Sequence, residues 1–363
     1  PALGTHVPMT WEEKQRIFGP ELPASAYLDH NWRTDVKTVG VVPGSFVKEV
    51  SGGLVDYSIT VDINQEILEG GYDLILSIGQ VVPHEVVGMA NYTKNIVVGC
   101  GGKDIIDKSH FLGAVYGMEK MMGRDHSPVR QVFDYTQEHF LRDLPLAYIL
   151  TVTETKDEET KVQGLFIGQE REVFSQAVVM SQRCNLDLLE KPLKKVVVYL
   201  DPNEFRSTWL GNKSVYRTRM AIADQGELVI LAPGVRMFGE DPEIDRLIRS
   251  FGYKTSPEIL KAVKSKGELG ENLSVAAHLI HGSSEDRFKI TYAVQHLTEA
   301  EIRGVNYQYL PYAEAAEVYN LAELKDGYNL VHGEEIFYIS NPALGLWALE
   351  QDFPQANETL KGE

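Results

Sequence analysis

The sequence predicts an α/β protein built from two domains. Short β-branched runs alternate with stretches of helical periodicity along the chain, a pattern typical of parallel sheets with crossover helices. The length of 363 residues exceeds what one hydrophobic core usually supports. The composition changes at residues 190–195, which read Glu-Lys-Pro-Leu-Lys-Lys. We therefore expect domains at 1–190 and 191–363, with largely parallel sheets and an active-site cleft between them.

In the first half, apolar runs of four to eight residues predict strands, and an apolar repeat near 3.6 residues predicts helices. Strands are expected at residues 36–42, 74–78, 96–98, 146–153 and 162–167. Helices are expected at residues 11–18, 104–122, 129–143 and 171–189. The chain opens on Pro1 without an initiator Met, so we expect that the first part of this domain is missing.

The second half repeats the alternation after residue 195 and so predicts a second α/β set. Strands are expected at residues 196–200, 228–231, 288–293 and 335–339. Helices are expected at residues 244–250, 257–265 and 312–319.

The charge balance argues against two classes of partner. The chain has 52 acidic and 35 basic residues, a formal net charge of −17, which disfavours nucleic acid and anionic membranes. Two cysteines, Cys100 and Cys184, do not form a disulfide framework. No apolar run is long enough to span a bilayer. We expect a cytoplasmic protein whose partner is a small molecule.

Three loops precede predicted helices, at residues 4–6, 80–94 and 99–102. Ligands of open α/β sheets bind at such loops, beyond the carboxyl ends of strands. The loop at 99–102 reads Gly-Cys-Gly-Gly, and free backbone N–H groups there could hold a phosphate. A plain tight turn explains the glycines equally well. Neither the spaced Rossmann fingerprint nor a Walker lysine motif is present.

The loop at 80–94 carries the densest chemistry. His84 and Lys94 lie ten residues apart after an apolar strand, and His110 follows sixteen residues later. Most histidines are surface or structural residues, but these positions favour proton transfer or metal ligation. His110 has no nearby Cys or carboxylate partners, so a metal there would need non-protein ligands. Zincin and serine-hydrolase motifs are absent.

Four segments resemble the nickel-dependent lactate racemase family. Residues 3–13, LGTHVPMT followed by two glutamates, resemble its GTHRPMT-x-EE segment. Residues 28–31, LDHN, look like its His-Asp loop, and residues 73–94 look like its DLVIGIG…PH-x-x-AGFSGGxK core. Residues 103–110 resemble its helix start G-x-x-x-I-x-x-x-H.

The resemblance implies a nickel-pincer nucleotide, in which a pyridinium mononucleotide holds nickel through one carbon and two sulfur atoms. Lys94 would bind it covalently as a thioamide, and His110 would be the fourth nickel ligand. Further cofactor-binding residues would be Thr5, His6, Asn91, Tyr92, Gly101 and Gly102. Cofactor-synthesis proteins would load it, so recombinant protein could be empty.

The resemblance also implies a mechanism. His30 and His84 would be general bases on opposite faces of a 2-hydroxy acid. One removes the hydroxyl proton while the C2 hydride moves to the cofactor, which forms a 2-keto acid. The hydride then returns to the other face, and the second histidine reprotonates the oxygen. Both bases would titrate near neutrality.

Substrate contacts are expected in the second domain. Residues 209–213, WLGNK, resemble a family segment Tyr-Gln-x-x-Lys, so Lys213 would bind the substrate carboxylate, with Trp209 and Arg217 nearby. An exposed lysine is the competing interpretation. Leu273 stands where lactate racemases have a Trp, and Asn91-Tyr92 replace a Gly-Gly. These departures favour a longer 2-hydroxy acid, such as a sugar acid, and a C2 epimerase.

Two other functions stay open. The chain could be a non-catalytic relative that binds a nucleotide, or a nicotinamide-dependent dehydrogenase, although the dehydrogenase glycine fingerprint is missing.

Overall fold

The structure, a computed structural model, describes residues 1–5, 8–156, 159–265, 267–343 and 345–354, without the side chains of residues 155 and 156. These residues form two compact units. Unit 1 comprises the described residues within 1–116 and 120–181, and unit 2 comprises residues 117–119 and the described residues from 182 onward. The division between 181 and 182 lies upstream of the boundary expected at 190.

Unit 1 contains seven strands and most of eight helices among its described residues. Its strands are β1 (Val36–Val42), β2 (Ile59–Asn64), β3 (Ile75–Gln80), β4 (Pro83–His84), β5 (Gly88–Met89), β6 (Leu146–Lys156) and β7 (Glu159–Gly168). The helices are α1 (Trp11–Phe18), α2 (Gly44–Val50), α3 (Gln65–Glu69), α4 (Thr93–Val97), α5 (Lys103–Tyr116), α6 (Met118–Met121), α7 (Pro128–Phe140) and α8 (Arg171–Asn185). A 3-10 helix spans Ala24–Ala26.

Unit 2 follows with eight strands and eight helices among its described residues. Its strands are β8 (Asp187–Leu189), β9 (Leu193–Tyr199), β10 (Ile222–Ala232), β11 (Lys289–Val294), β12 (Gln308–Pro311), β13 (Gly327–Val331), β14 (Glu334–Ile339) and β15 (Trp347–Leu349). The helices are α9 (Thr208–Gly211), α10 (Lys213–Thr218), α11 (Pro242–Phe251), α12 (Ser256–Lys264), α13 (Glu268–Glu271), α14 (Leu273–Gly282), α15 (Glu299–Gly304) and α16 (Tyr312–Val318), with a 3-10 helix at Glu350–Asp352.

The main sheet of unit 2 has six strands in the order β12-β11-β10-β9-β14-β13. All neighbours run parallel except β13 and β14, which form an antiparallel edge. Its core contains side chains such as Val197, Val229, Leu231 and Tyr338. This sheet and the helices between its strands confirm the predicted α/β class.

Unit 1 has smaller sheets. In its three-stranded sheet, β3 pairs parallel with β6, and β6 pairs antiparallel with β7. An antiparallel β1–β2 pair and a two-residue β4–β5 hairpin complete the unit. Strand β3 therefore ends next to the hairpin that carries His84, and this places the candidate site at the carboxyl end of a parallel strand.

One face of this three-stranded sheet is bare. Leu76 and Ile78 of β3 lie on this face together with Leu165 and Ile167 of β7, and Ile78 and Ile167 both pair with Ile149 of β6. The side chains of these four residues of β3 and β7 are exposed. Parallel strands are usually covered on both faces, so an uncovered apolar face is the least typical feature of unit 1.

Local signals explain several helix ends. Thr10 and Glu13 form a capping box at α1, and Ser127 caps α7 ahead of Pro128. The helix expected at 104–122 is instead divided into α5 and α6, because Gly117 has a φ of 106°. The helix expected at 171–189 ends at Asn185, since residues 187–189 pair with β15.

The strand expected at residues 96–98 is wrong. Ile96 and Val97 belong to α4, where they are buried on the same side as Thr93. Their β-branched side chains favour a strand only weakly, and burial decides the conformation here. Among the described residues, no helix is both long and apolar enough to cross a membrane.

Candidate functional site

The hairpin β4–β5 and the turn that follows it carry the candidate chemistry. His84 lies opposite Gly88 in the hairpin, and Lys94 is the second residue of α4. Gly88 has a φ of +90°, and a Cβ there would overlap the carbonyl oxygen of Arg124. Only glycine fits this position, so the hairpin is fixed close against residues 121–124.

Lys94 has an unusual environment for an amine. Its side chain is only partly accessible. Burial lowers its pKa, the carboxylate of Glu85 acts in the opposite direction, and the positive charge of Arg130 lowers it further. A larger fraction of neutral amine is therefore present than on an ordinary lysine, and the neutral amine is the nucleophilic form.

His110 lies in the second turn of α5. Its Nδ1 donates a hydrogen bond to the carbonyl oxygen of Ile106, 2.6 Å away. Burial lowers its pKa to about 4, and the charge of Lys94 adds to this effect. At neutral pH the ring is neutral and its Nε2 keeps a lone pair, which is how histidines that bind metals are usually oriented.

Lys94 and His110 thus lie within electrostatic range of each other, and Glu85 acts on both. The structure brings together two residues that the sequence placed sixteen positions apart. Glu85 was not predicted to belong to the site. The available signal was its position directly after His84, in the loop already chosen.

His84 is partly exposed at the end of β4. Its Nδ1 accepts a hydrogen bond from the backbone N–H of Val86 at 3.1 Å. In the neutral ring the proton therefore resides on Nε2. In this conformation His84 can deliver a proton from Nε2, and it can accept one there after that proton has left.

His30 is buried, and both its ring nitrogens are engaged by the protein. Nε2 donates to the carbonyl oxygen of Gly101 at 2.9 Å, and Nδ1 accepts from the side-chain amide of Asn64 at 2.9 Å. Burial lowers its pKa. These bonds connect the 28–31 loop to the end of β2 and to the glycine loop, so His30 must release Asn64 before it can take up a proton at Nδ1.

The glycine loop does not offer the free N–H groups that the sequence suggested. Gly99 donates to Lys94 O, Gly101 to Val98 O and Gly102 to Asp62 O. A Cβ at Gly101 would overlap the carbonyl of Val97. The amides of Gly101 and Gly102 are used within the fold, and these glycines allow close backbone packing. The expectation of an open phosphate cradle here is wrong.

The start of the chain contacts the same loop. The N–H of Gly4 donates to the carbonyl of Gly99 at 2.8 Å. Thr5 follows in an exposed turn. The proposed cofactor-binding residue His6 lies outside the described residues.

Asn91 and Tyr92 form a left-handed turn directly before α4. Their φ angles are 71° and 56°. The Tyr92 ring stacks on Phe174 at 5.1 Å, and its hydroxyl donates to the carbonyl of Gln169 at 2.8 Å. Both residues are buried, so their side chains support the loop from inside.

A buried arginine, Arg130, holds this turn. It lies in α7, and its guanidinium bonds to Met89 O, Asn91 O and the Thr93 hydroxyl. Burial lowers its pKa to about 10. Arg130 was not predicted from the sequence, where the available signal was an arginine on the apolar side of an amphipathic helix.

The expected substrate residues all lie in unit 2. Trp209 is in α9, Lys213 begins α10, Arg217 follows one turn later and Leu273 begins α14. Each of the four is partly exposed. Their side chains are therefore accessible to a small molecule.

Trp209 borders a buried polar network that the sequence did not reveal. Its ring stacks on His278 at 4.2 Å. The hydroxyls of Tyr216 and Tyr253 bond to the two ring nitrogens of His278, at 2.8 and 2.9 Å. The network fixes the orientation of α9 and α14, the helices that carry Trp209 and Leu273.

Two further basic residues follow the carboxyl ends of parallel strands in unit 2. Arg206 comes after β9 and Arg236 after β10, and the N–H of Arg236 donates to the carbonyl of Arg206 at 3.0 Å. Both side chains are exposed. Ligands often bind at this edge of a parallel sheet, a signal that could have selected these residues from the sequence.

Within the described ranges, no group of three or more His, Cys, Asp or Glu side chains could hold a metal ion. A metal bound at His110 would therefore need ligands from outside these side chains.

Comparisons with known proteins address the family and the fold. The sequence model of the lactate racemase N-terminal domain family matches residues 1–123. A crystal structure of a structural-genomics target from Thermotoga maritima is 23% identical and has a TM-score of 0.80, with 96% of this chain and 84% of that chain covered. A search of curated proteins finds no match.

A second solved structure carries a functional name. It is the lactate racemase apoprotein from Thermoanaerobacterium thermosaccharolyticum, 16% identical, with a TM-score of 0.70 and coverage of 95% of this chain and 77% of that chain. At this identity the likeness concerns the fold. The chain therefore resembles the lactate racemase N-terminal domain in sequence over residues 1–123, and it shares the fold of both solved structures over most of its length.

Proposed function

We propose that this protein inverts C2 of a 2-hydroxy acid with a nickel-pincer nucleotide held by Lys94 and His110. A lactate racemase-like chain is expected to be a racemase or epimerase. The observation that carries the proposal is the pairing of a lysine of lowered pKa with a neutral imidazole whose Nδ1 is already bonded to Ile106.

The residues present fit this cofactor. The cofactor would bring three ligands to its nickel and would leave one position for a neutral nitrogen donor, which the Nε2 of His110 would fill. A thioamide tether needs an amine, and Lys94 supplies one in α4. When bound, the nickel-pincer nucleotide supplies a hydride acceptor. Its loading would require the proteins that synthesise it.

The chain's own residues would manage the proton and the carboxylate. His84 holds its proton on Nε2, so it would protonate the substrate oxygen in one direction and deprotonate it in the other. His30 would serve the opposite face after releasing Asn64. Lys213 would bind the substrate carboxylate, and Trp209, Arg217 and Leu273 would line the substrate site.

The substrate class follows from the departures in unit 2. Leu273 has a smaller side chain than the Trp of the resembled motif and would leave more room. The exposed Arg206 and Arg236 add positive charge in a protein of net charge −17. We infer a longer 2-hydroxy acid, such as a sugar acid, as the substrate of a C2 epimerase.

The test uses protein produced together with the cofactor-synthesis enzymes. Intact-mass analysis should find an adduct on Lys94, and elemental analysis should find equimolar nickel. Epimerisation of gluconate-type acids, compared with racemisation of lactate, should show the sugar acid as the better substrate. If the protein carries the adduct but acts on lactate alone, the proposed substrate class is wrong. If protein produced together with the cofactor-synthesis enzymes carries no adduct, the proposed cofactor is wrong.

A second candidate is a non-catalytic relative that binds the same nucleotide. It is favoured by one observation, the engagement of both ring nitrogens of His30 within the protein. Loaded protein that carries the adduct but leaves every 2-hydroxy acid unchanged would support this candidate.

A further inference from the structure

We propose that Arg130 is a positioning residue, which holds the Asn91–Tyr92 turn in its left-handed conformation and thereby aims the Lys94 amine toward His110. This inference rests on the proposed role of Lys94 as the cofactor tether. It concerns a residue that would touch neither cofactor nor substrate, so Arg130 would position the amine through the turn, in addition to the direct effect of its charge on Lys94.

The turn is strained. Asn91 has a φ of 71°, and Tyr92 has a φ of 56° with a ψ of −135°. Asparagine adopts a positive φ at a lower cost than most non-glycine residues, whereas a bulky residue such as tyrosine rarely adopts one. Each such residue destabilises the fold and persists only where its surroundings enforce the conformation. The resembled motif has two glycines here, which would adopt these angles without that cost.

Arg130 holds the backbone of the turn in this conformation. Its NH2 donates to the carbonyl of Met89 at 2.7 Å, and its NH1 donates to the hydroxyl of Thr93 at 2.7 Å. Both nitrogens also reach the carbonyl of Asn91 at 3.3 Å. One guanidinium therefore binds the chain before, within and after the turn, through charge-assisted bonds that are stronger than neutral ones.

Arg130 also supports the side chain of Tyr92. The guanidinium carbon lies 4.4 Å from the centre of the Phe174 ring, on which Tyr92 stacks. The Tyr92 hydroxyl donates to Gln169 O on the far side. The tyrosine is thus held at both ends while Arg130 binds the backbone on either side of it.

The geometry connects this support to the amine. Thr93 begins α4 and accepts the Arg130 bond, and Lys94 is the next residue. A change in the ψ angle of Tyr92 would rotate the start of α4 and swing the Lys94 side chain away from His110. The position of the amine therefore depends on a turn that two non-glycine residues adopt only under constraint.

Arg171 is a matched control. Its guanidinium carbon also lies near Phe174, at 5.0 Å, and it bonds to Asp134, Asp125 and Ser175. None of its hydrogen bonds reaches residues 89–93. Loss of Arg171 removes a charge and packing from the same region without releasing the turn.

The experiment follows acetylation of Lys94 by acetic anhydride in unloaded protein across a pH series, by peptide mass spectrometry with exposed Lys103 as internal reference. In Arg130→Met the midpoint of the Lys94 profile should rise by about one pH unit, because the amine gains water and loses a neighbouring positive charge. Arg171→Met should keep the wild-type midpoint. Melting temperatures would show how far each variant is destabilised.

A glycine substitution separates positioning from packing. Asn91→Gly relaxes one strained residue, so Asn91→Gly combined with Arg130→Met should recover at least part of the wild-type profile. A packing role for Arg130 predicts no recovery. If Arg130→Met does not fold, Arg130→Lys with and without Asn91→Gly makes the same comparison. An unchanged profile in the Arg130 variant, or no recovery with glycine, overturns the inference.

Failure of the proposed function has a different signature. A wild-type protein without an adduct after loading, together with a shifted and glycine-rescued Lys94 profile, refutes the cofactor and supports the positioning role. Equal adduct formation in wild type and Arg130→Met, with equal profiles, refutes the positioning role and leaves the cofactor supported.

Discussion

His110 donates its Nδ1–H to the main-chain carbonyl of Ile106, one turn earlier in α5, at 2.6 Å. The bond fixes the tautomer and leaves Nε2 as the donor for a metal. We expect His110→Gln to abolish nickel retention in loaded protein, measured by elemental analysis. His139→Gln is the control, because His139 makes the same type of bond to Tyr135 at 2.9 Å from an exposed position. Nickel retained by His110→Gln would contradict the assignment.

The same imidazole should make the unloaded protein sensitive to acid. Its pKa is lowered to about 4 when folded and is near 6.5 when unfolded, so the unfolded chain binds the extra proton first. The associated stability is present above pH 6.5 and is lost as the pH falls toward 4, by about 2 kcal/mol between pH 7 and pH 5. Urea unfolding at both pH values measures this loss. It should be smaller in His110→Gln and unchanged in His139→Gln.

The buried amine of Lys94 should lower the free energy of unfolding. Burial lowers its pKa, so the cost of holding the charged amine is full below the folded-state pKa and disappears as the pH rises to the ordinary lysine value. We expect Lys94→Met to raise the unfolding free energy at pH 7 by about 1 kcal/mol while removing all cofactor adduct. Lys103→Met serves as the control, because Lys103 is exposed. A destabilised Lys94→Met would contradict this expectation.

His30 and His84 should respond differently to replacement. His30→Gln disturbs two buried hydrogen bonds and should lower the unfolding free energy by about 2 kcal/mol. His84→Gln changes a partly exposed ring and should cost less than about 1 kcal/mol while stopping turnover of loaded protein. Chemical denaturation and the epimerisation assay measure the two effects. Full turnover in either variant would remove that residue as a base.

Gly101 should be required for packing. A Cβ at this position would overlap the carbonyl of Val97, so Gly101→Ala should cost about 3 kcal/mol. Gly304 is a suitable control, because a Cβ there meets no atom within 4 Å. We expect Gly304→Ala to be neutral or slightly stabilising. A phosphate-binding role for Gly101 predicts instead that Gly101→Ala folds normally and loses the cofactor.

Local sequence signals predicted an element correctly where residues within it or next to it determine its ends. Both ends of helix α1 and of strand β1 were predicted correctly. Thr10 caps the helix, and turn residues flank the strand. Strand β2 was missed, although Ile59, Val61 and Ile63 alternate with more exposed residues. The strand expected at 96–98 failed because burial of Ile96 and Val97 fixes a helix.

The candidate site was predictable only in part, because its contacts are non-local. The spacing of His84, Lys94 and His110 selected the right loop and helix. The bonds of His30 to Gly101 and Asn64 span 71 and 34 residues along the chain, and no local pattern reveals them. The sequence places Arg130 on the apolar side of α7, and only the packed structure shows that its guanidinium binds the turn.

The short segment 117–119 has a practical consequence for dissecting the molecule. Glu119 clusters with unit 2, where it accepts hydrogen bonds from Arg219 and Arg287 at 2.8 Å, yet the chain on both sides of this segment belongs to unit 1. A truncated gene that ends near residue 181 would carry Glu119 away from the buried Arg219, and breaking a buried ion pair by removing one partner costs about 3–5 kcal/mol. Unit 2 expressed alone should therefore fold poorly, and domain exchange between relatives must transfer Glu119 together with its two arginines.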